Sequence, residues 1–249
     1  MIQSLDKGIK MLFILSERKS AGVTELAKEL QVNKSTSFRL LQTLGIHSLV
    51  EQDAVTGKYK LGPGVLRISE RLVNSFDVIA AAKPFLQKLA ETTQESAHLC
   101  VYAGEKAFIV DQVISSEPIK ATAKIGRPEP FHCSAVGKCL LAFRTEKERE
   151  KIFNSMEWTA FTKKTMQSKE ALESCLEKIR TGGYALDDEE LTPGVRCVAA
   201  PVYNHKGEVY SCVGISGPAT RVLLENIENY TDIVKKSADI ISASLGYKS

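Results

Sequence analysis

Residues 22–61, GVTELAKELQVNKSTSFRLLQTLGIHSLVEQDAVTGKYKL, switch between helical and strand patterning within a short distance, and few small folds accommodate that order. Leu26, Ala27 and Leu30 recur at helical spacing, which predicts a helix over about Val23 to Leu30 with Thr24 available as its N-cap. Gln31-Val32-Asn33 then form a turn. A second helix is predicted from about Lys34, where Ser35 or Thr36 can satisfy free backbone N–H groups, and it continues through Phe38, Leu41, Leu44 and Ile46. Two β-forming runs, Leu49 to Glu51 and Lys58 to Leu61, flank a loop holding Thr56-Gly57, as in a hairpin whose loop exceeds two residues. Two short helices followed by such a hairpin make a winged helix-turn-helix.

A helix that enters the major groove by its N-terminal turn needs small polar side chains there, so that its backbone approaches the duplex, and cations that reach phosphates or guanine edges. Lys34, Ser35, Thr36, Ser37 and Arg39 meet that need, Thr24 stands at the start of the preceding helix, and Lys58 and Lys60 lie on the wing. Singly, Ser35 and Thr36 suit an ordinary helix cap and Arg39 a solvated surface charge. As an ordered set these residues read as a surface for double-stranded DNA. Residues 1–60 hold nine Lys/Arg and six Asp/Glu, an excess equal to the +3 formal charge of the whole chain, so the imbalance sits where phosphate contact would use it.

The 249 residues, 43% hydrophobic and 25% charged, suffice for a small domain and a larger one. Apolar runs are short and interrupted, and MIQSLDKGIK lacks the pattern of a signal peptide, so a cytoplasmic protein without membrane contact is expected. The six cysteines form no CxxC pair and no regular framework, which points to reduced thiols.

Before the winged helix, Leu5, Ile9, Leu12 and Phe13 predict an amphipathic helix over Leu5 to Leu15, capped by Ser4. After it, Gly62-Pro63-Gly64 breaks the pattern. A helical linker then runs to about residue 95, with Val65, Ile68, Leu72, Val73 and Phe76 on one side and Pro84 starting or kinking its second part. So long an apolar stripe suits packing on the same chain or a dimer contact, and the DNA-binding reading favours the second because two-fold dimers read paired half-sites. Strands are expected at Ala97–Tyr102, Lys106–Val113 and Ile119–Ala123. The prolines of GRPEPFHCSAVGKCLLAF deny regular structure as far as Pro130, and Ser134 caps a helix through Leu140 and Leu141. Helices over Glu146–Asn154 and Lys169–Thr181 precede strands near Tyr184–Leu186, Arg196–Tyr203 and Val209–Ser216. A final helix opens at Ser216-Gly217-Pro218 and carries Leu223, Ile227, Tyr230, Val234, Ala238, Ile241 and Leu245. This order predicts an α+β chain whose larger domain, residues 96–249, holds an antiparallel or mixed sheet, preceded by a DNA-binding domain over 1–61 and the linker over 62–95.

The segments TELAKELQVNKSTSFRLLQTL, HCSAVGKCLLA, GGYALDDEELTPGVRCVAAPVYNHKGEV and VGISGP, in that order and spacing, resemble the IclR family of bacterial transcription regulators over nearly the full length. The resemblance implies a GAF-like (profilin-like) effector domain behind the winged helix, homodimers or tetramers, and a small organic-acid effector that modulates operator binding by a repressor or an activator. It places the effector at the helix start Ser134, Ala135, Val136, with Asp187, Cys197, Gly214 and Ser216. Four departures stand out: Gln31 and Ser48 where glycine is frequent in the family, Ser37 where a small apolar residue is usual, and Gly214 where some members that bind small keto acids carry serine. The chemistry agrees, since a helix N-terminus presents free N–H groups and positive potential to a carboxylate, Asp187 can accept from a ligand hydroxyl, Ser216 can donate or accept, and Cys197 can line a wall. Singly, Asp187 also suits a solvated acidic loop, Ser216 a helix cap and Cys197 a buried strand.

His132-Cys133 could suggest a thiol nucleophile, and His132, Cys133, Cys197 and Asp187 a zinc site, but neither a third orienting group nor short metal-ligand spacing is evident. A metal- or thiol-dependent hydrolase carrying a DNA-binding module is the alternative. A regulator with no enzymatic activity, cofactor or metal is the expectation.

Overall fold

The computed structural model describes residues 2–74 and 77–248, with 71–74 and 77 in their backbone alone. The chain divides into two compact units, residues 1–75 and 76–249. The first contains α1 (Gln3–Glu17), α2 (Val23–Glu29), α3 (Lys34–Ile46), the hairpin β1 (Val50–Gln52) and β2 (Tyr59–Leu61), and α4 (Gly64–Asn74). The division leaves α4 in the first unit and α5 (Asp77–Thr93) in the second.

Helices α2 and α3 start at Val23 and Lys34 as expected, but the residues that cap them differ. Helix α1 begins at Gln3 rather than Leu5, with Ile2 at its N-cap and no side-chain cap, so Ser4 lies inside it. Thr24 does not cap α2: Gly22 precedes the helix, and its N–H donates to the Glu25 carboxylate at 2.9 Å. Nor do the hydroxyls of Ser35 or Thr36 cap α3. Asn33 does, its Oδ1 accepting from Thr36 N–H at 2.7 Å and from the Ser35 hydroxyl at 2.9 Å.

The packed faces also differ from the expected stripes. In α1 the inward face is Gly8, Met11 and Leu15, while Leu5, Ile9 and Phe13 are exposed. In α3 the inward residues are Ser37 and Leu41, with Leu40 and Leu44 half-buried, and Phe38 and Ile46 face outward. Gln31 and Ser48 adopt left-handed backbone, φ 52° and 57°, at the two corners where glycine would be free of strain. Gly62 and Gly64 are needed beside the second corner: a Cβ on either would collide with the carbonyls of His47 or Ser48, and Gly64 N–H donates to Ser48 O at 2.8 Å. The linker positions Leu72, Val73 and Phe76 fall outside the side chains described; Leu66 and Ile68 are exposed.

The second unit is a six-stranded antiparallel sheet of order β5-β4-β3-β8-β7-β6, with β3 (Ser96–Ala103), β4 (Lys106–Val113), β5 (Pro128–Glu129), β6 (Ala185–Asp188), β7 (Val195–Tyr203) and β8 (Val209–Pro218). Gly104 and Glu105, both at positive φ, turn β3 into β4 as a two-residue hairpin. One face packs against α5 and α9 (Ile227–Ser244) through Leu86, Leu89, Val198, Ile215, Val234 and Ile241. The other packs against α6 (Ala135–Ala142), α7 (Glu146–Ser155) and α8 (Lys169–Gly182) through Cys100, Ile109, Ala199, Cys212, Leu140, Ile152 and Leu176. Pro84 lies inside α5 and does not end it.

Three expectations fail here. Ile119–Ala123 is not a strand, since those residues form no ladder, and Gln112 on β4 instead grips Ala123 with both ends of its amide. Regular structure does reach Pro128, whose position at the sheet edge needs no N–H, giving the short β5. Ser216-Gly217-Pro218 do not open the last helix: they end β8, pairing with Cys197, Arg196 and Val195. Leu223 therefore stands before the 3-10 turn Leu224–Asn226, and α9 starts at Ile227.

Candidate functional site

Lys34, Ser35, Arg39, Lys58, Lys60 and Thr24 are exposed in the first unit, and Thr36 is half-buried. Lys34, Arg39 and Lys58 have no ion pair among the described residues, whereas Lys60 pairs with Glu51 across the hairpin at 2.9 Å. Ser37 is the exception to the predicted set. It is fully buried and its hydroxyl donates to Val23 O at 3.2 Å, so it joins α3 to α2 and presents nothing to a duplex. Its neighbours Lys34, Ser35 and Arg39 form the outward, basic side of the α3 start.

In the second unit the β register assembles a cavity floor from residues far apart in sequence. Asp187 on β6 faces Cys197 on β7, which faces Ser216 on β8, which faces Ser96 on β3. The next row on the same face, two residues along, is Ala185, Ala199, Gly214 and His98. The start of α6 lies over this floor, and Ala121, Thr122 and Ala123 wall one side. The resulting cavity of about 240 Å³ is lined by Ser134, Ala135, Val136, Asp187, Cys197 and Ser216, together with His98, Glu129, Leu191 and Thr192 among others. Gly214 does not line it but lies beneath His98: a Cβ there would come within 3.2 Å of His98 Nε2 and 2.6 Å of Val198 O.

Each polar group in this cavity has a definite state. Ser134 caps α6, its hydroxyl accepting from Gly137 N–H at 3.0 Å and donating to Pro130 O at 2.8 Å, so its proton is already committed. Gly137 is required there, because a Cβ would collide with Pro130 O and Ser134 Oγ. Among the described residues the N–H groups of Ala135 and Val136 have no backbone partner. Ser216 donates to Cys197 Sγ at 3.1 Å. Asp187 is buried rather than part of a solvated loop. Its Oδ1 accepts from Glu190 N–H at 2.7 Å and Leu191 N–H at 3.4 Å, yet burial outweighs these bonds and raises its pKa to about 7. Burial likewise raises Glu129, and it lowers His98 to about 4, leaving a neutral imidazole at physiological pH.

The acidic run Asp187–Glu190 is partnered throughout. Asp188 pairs with Arg196 at 2.6 Å and Lys164 at 2.9 Å. Glu189 accepts from Gly194 N–H at 2.9 Å. Glu190 takes Lys138, 1% exposed, on both oxygens at 2.5 and 2.6 Å. Lys138, Glu190 and His98 were missed by sequence reasoning; a lysine inside the apolar run GKCLLA was the available signal for the first.

Cys133 is fully buried, and burial pushes its thiol far above the ordinary range, the reverse of an activated nucleophile. His132 turns instead toward Thr159 O at 3.0 Å. Among the described residues no three His, Cys, Asp or Glu side chains are grouped so as to hold a metal ion.

Two family models match the chain: the IclR helix-turn-helix domain over residues 4–54, and the bacterial transcriptional regulator IclR C-terminal domain over residues 70–243. The HTH-type transcriptional regulator XynR of Escherichia coli is 33% identical over 247 residues, 99% of this chain and 98% of that protein. The HTH-type transcriptional repressor AllR of Salmonella typhi is 31% identical, covering 99% and 91%. The crystal structure of the Thermotoga maritima IclR superposes with a TM-score of 0.81 at 28% identity over 99% of this chain and all of that one.

Proposed function

Since this chain belongs to the IclR family of DNA-binding transcription regulators, we propose that its operator affinity is set by a small organic acid in the cavity beneath α6. Nothing in its relatives supports a hydrolase. In this reading Lys34, Ser35, Thr36 and Arg39 approach base edges and phosphates, and Lys58, Lys60 and Thr24 contact the flanking backbone. The observation that carries the DNA surface is the pair of exposed cations without ion pairs among the described residues, Lys34 and Arg39, on the Asn33-capped start of α3. The effector would rest its carboxylate on the Ala135 and Val136 N–H groups, with Asp187, Cys197 and Ser216 along the floor. No cofactor enters this scheme. The protein acts as a homodimer or tetramer on paired half-sites in the cytoplasm. Among the described residues no helix is long and apolar enough to cross a membrane.

Fluorescence anisotropy with a duplex from upstream of its own gene and neighbouring genes, beside a scrambled duplex at the same salt, tests the reading. A clear preference for one upstream duplex, altered by an organic acid in wild type but not in Asp187→Ala, is expected. An acid response unchanged by Asp187→Ala would reject Asp187 as an effector contact.

A further inference from the structure

The cavity contains a buried polar side chain that the helix-start argument does not use. His98, near the start of β3, is 4% exposed, lines the cavity, and has no hydrogen-bond partner among the described residues. A buried polar ring almost always has one. His98 is placed there by an absence: directly across the ladder stands Gly214, and any side chain at that position would press on the imidazole and on Val198 O. Ala199, the next residue in the row, carries only a methyl group. The floor is thus cut away on one side so that an imidazole can reach the ligand space.

The lining also limits what the imidazole can meet. It includes the carboxyl groups of Asp187 and Glu129 but no lysine or arginine. A carboxylate there meets uncharged donors, foremost the N–H groups of Ala135 and Val136 at the helix start, with the hydroxyls of Thr122 and Thr192 also in the lining. A neutral imidazole offers one donor and one acceptor nitrogen. A hydroxyl matches both roles, whereas a carboxylate can only accept and an ammonium only donate. Resting on the reading of this cavity as the effector site, we propose that His98 is a selectivity-determining contact that pairs with a hydroxyl of a small hydroxy acid. Gly214 is the residue that lets it do so.

The test is titration calorimetry of the full-length protein with matched acids, glycerate against propionate and gluconate against hexanoate. His98→Phe keeps a ring but removes both nitrogens; His98→Gln restores a donor and an acceptor. In wild type each hydroxy acid is expected to bind at least about tenfold tighter than its unsubstituted partner. The preference should vanish in His98→Phe, with propionate and hexanoate unchanged, and return in part in His98→Gln. A preference of the same size in His98→Phe overturns the assignment of His98, and failure of both hydroxy acids to bind wild type overturns the ligand class. Asp187→Ala separates these failures from that of the cavity itself: acids that bind it and wild type alike occupy another place, which rejects the effector-site reading on which the proposal stands.

Discussion

In the first unit Lys34 and Arg39 stand in water without an ion pair among the described residues, whereas in the second Lys138 is 1% exposed and holds both oxygens of Glu190. The contrast extends to the acids: Glu51 is an exposed partner of Lys60, while Asp187 is buried and accepts backbone N–H groups. Exposed charges are already solvated, so the fold asks little of them and they remain available to a partner molecule. Buried charges must be satisfied internally, so they set the geometry around them. Lys138, through Glu190, braces the chain that Asp187 holds by its Glu190 and Leu191 N–H groups.

The largest test of that contrast is Lys138→Met, which leaves Glu190 with a buried, unpaired carboxylate and should cost about 3–5 kcal/mol in denaturant unfolding of the full chain. Adding Glu190→Leu should recover much of the loss. A single-variant loss no greater than that of an exposed lysine would mean the pair does not brace the loop.

Asp187 gives the next effect, with a distinctive pH signature. The folded chain holds its proton up to about pH 7, while the unfolded chain releases it at about pH 4, so ionisation erodes stability as pH rises through that window. Asp187→Asn keeps an acceptor for the Glu190 and Leu191 N–H groups and should be more stable than wild type above pH 7 by on the order of 3 kcal/mol. The gain should disappear below about pH 4. His98 tilts the other way: its pKa is lowered to about 4, so wild type loses stability as pH falls below about 6.5, and His98→Gln should flatten that limb. Thermal melts of the three proteins across this range would show the opposed slopes or refute them.

For the exposed side of the comparison, Arg39→Ala should weaken operator binding by about 1–3 kcal/mol with stability unchanged within about 0.5 kcal/mol. If Arg39 meets a phosphate, the salt dependence should also shallow by about one ion, and an unchanged affinity would remove it from the interface. The smallest effect concerns the two left-handed corners. Ser48→Gly or Gln31→Gly should raise stability by no more than about 1 kcal/mol, because relief of positive-φ strain is offset by the freedom glycine adds to the unfolded chain.

Much of the first unit could be read from residues close together in sequence. Helices α2 and α3 and the wing follow from spacing and from Gly, Asn and Ser positions, since periodicity and capping act over a few residues. Even there, side-chain direction went astray: Ser37 faces Val23 and Phe38 faces water, because α3 is rotated by what α1 and α2 can bury, not by its own most apolar stripe. The Ser134 cap was legible for the same local reason, and Asp187, Cys197 and Ser216 came together only through the family pattern.

What the sequence by itself determined was therefore the winged helix, its basic approach, the α6 start and the family. The tertiary structure alone decided that Asp187, Cys197 and Ser216 share one cross-strand row, that Gly214 opens space for His98, and that Lys138 is buried against Glu190. Those outcomes depend on strand register, where a slip of one residue turns every side chain to the opposite face. No local property of β3, β6, β7 or β8 sets that register; their simultaneous packing against α5, α6 and α9 does.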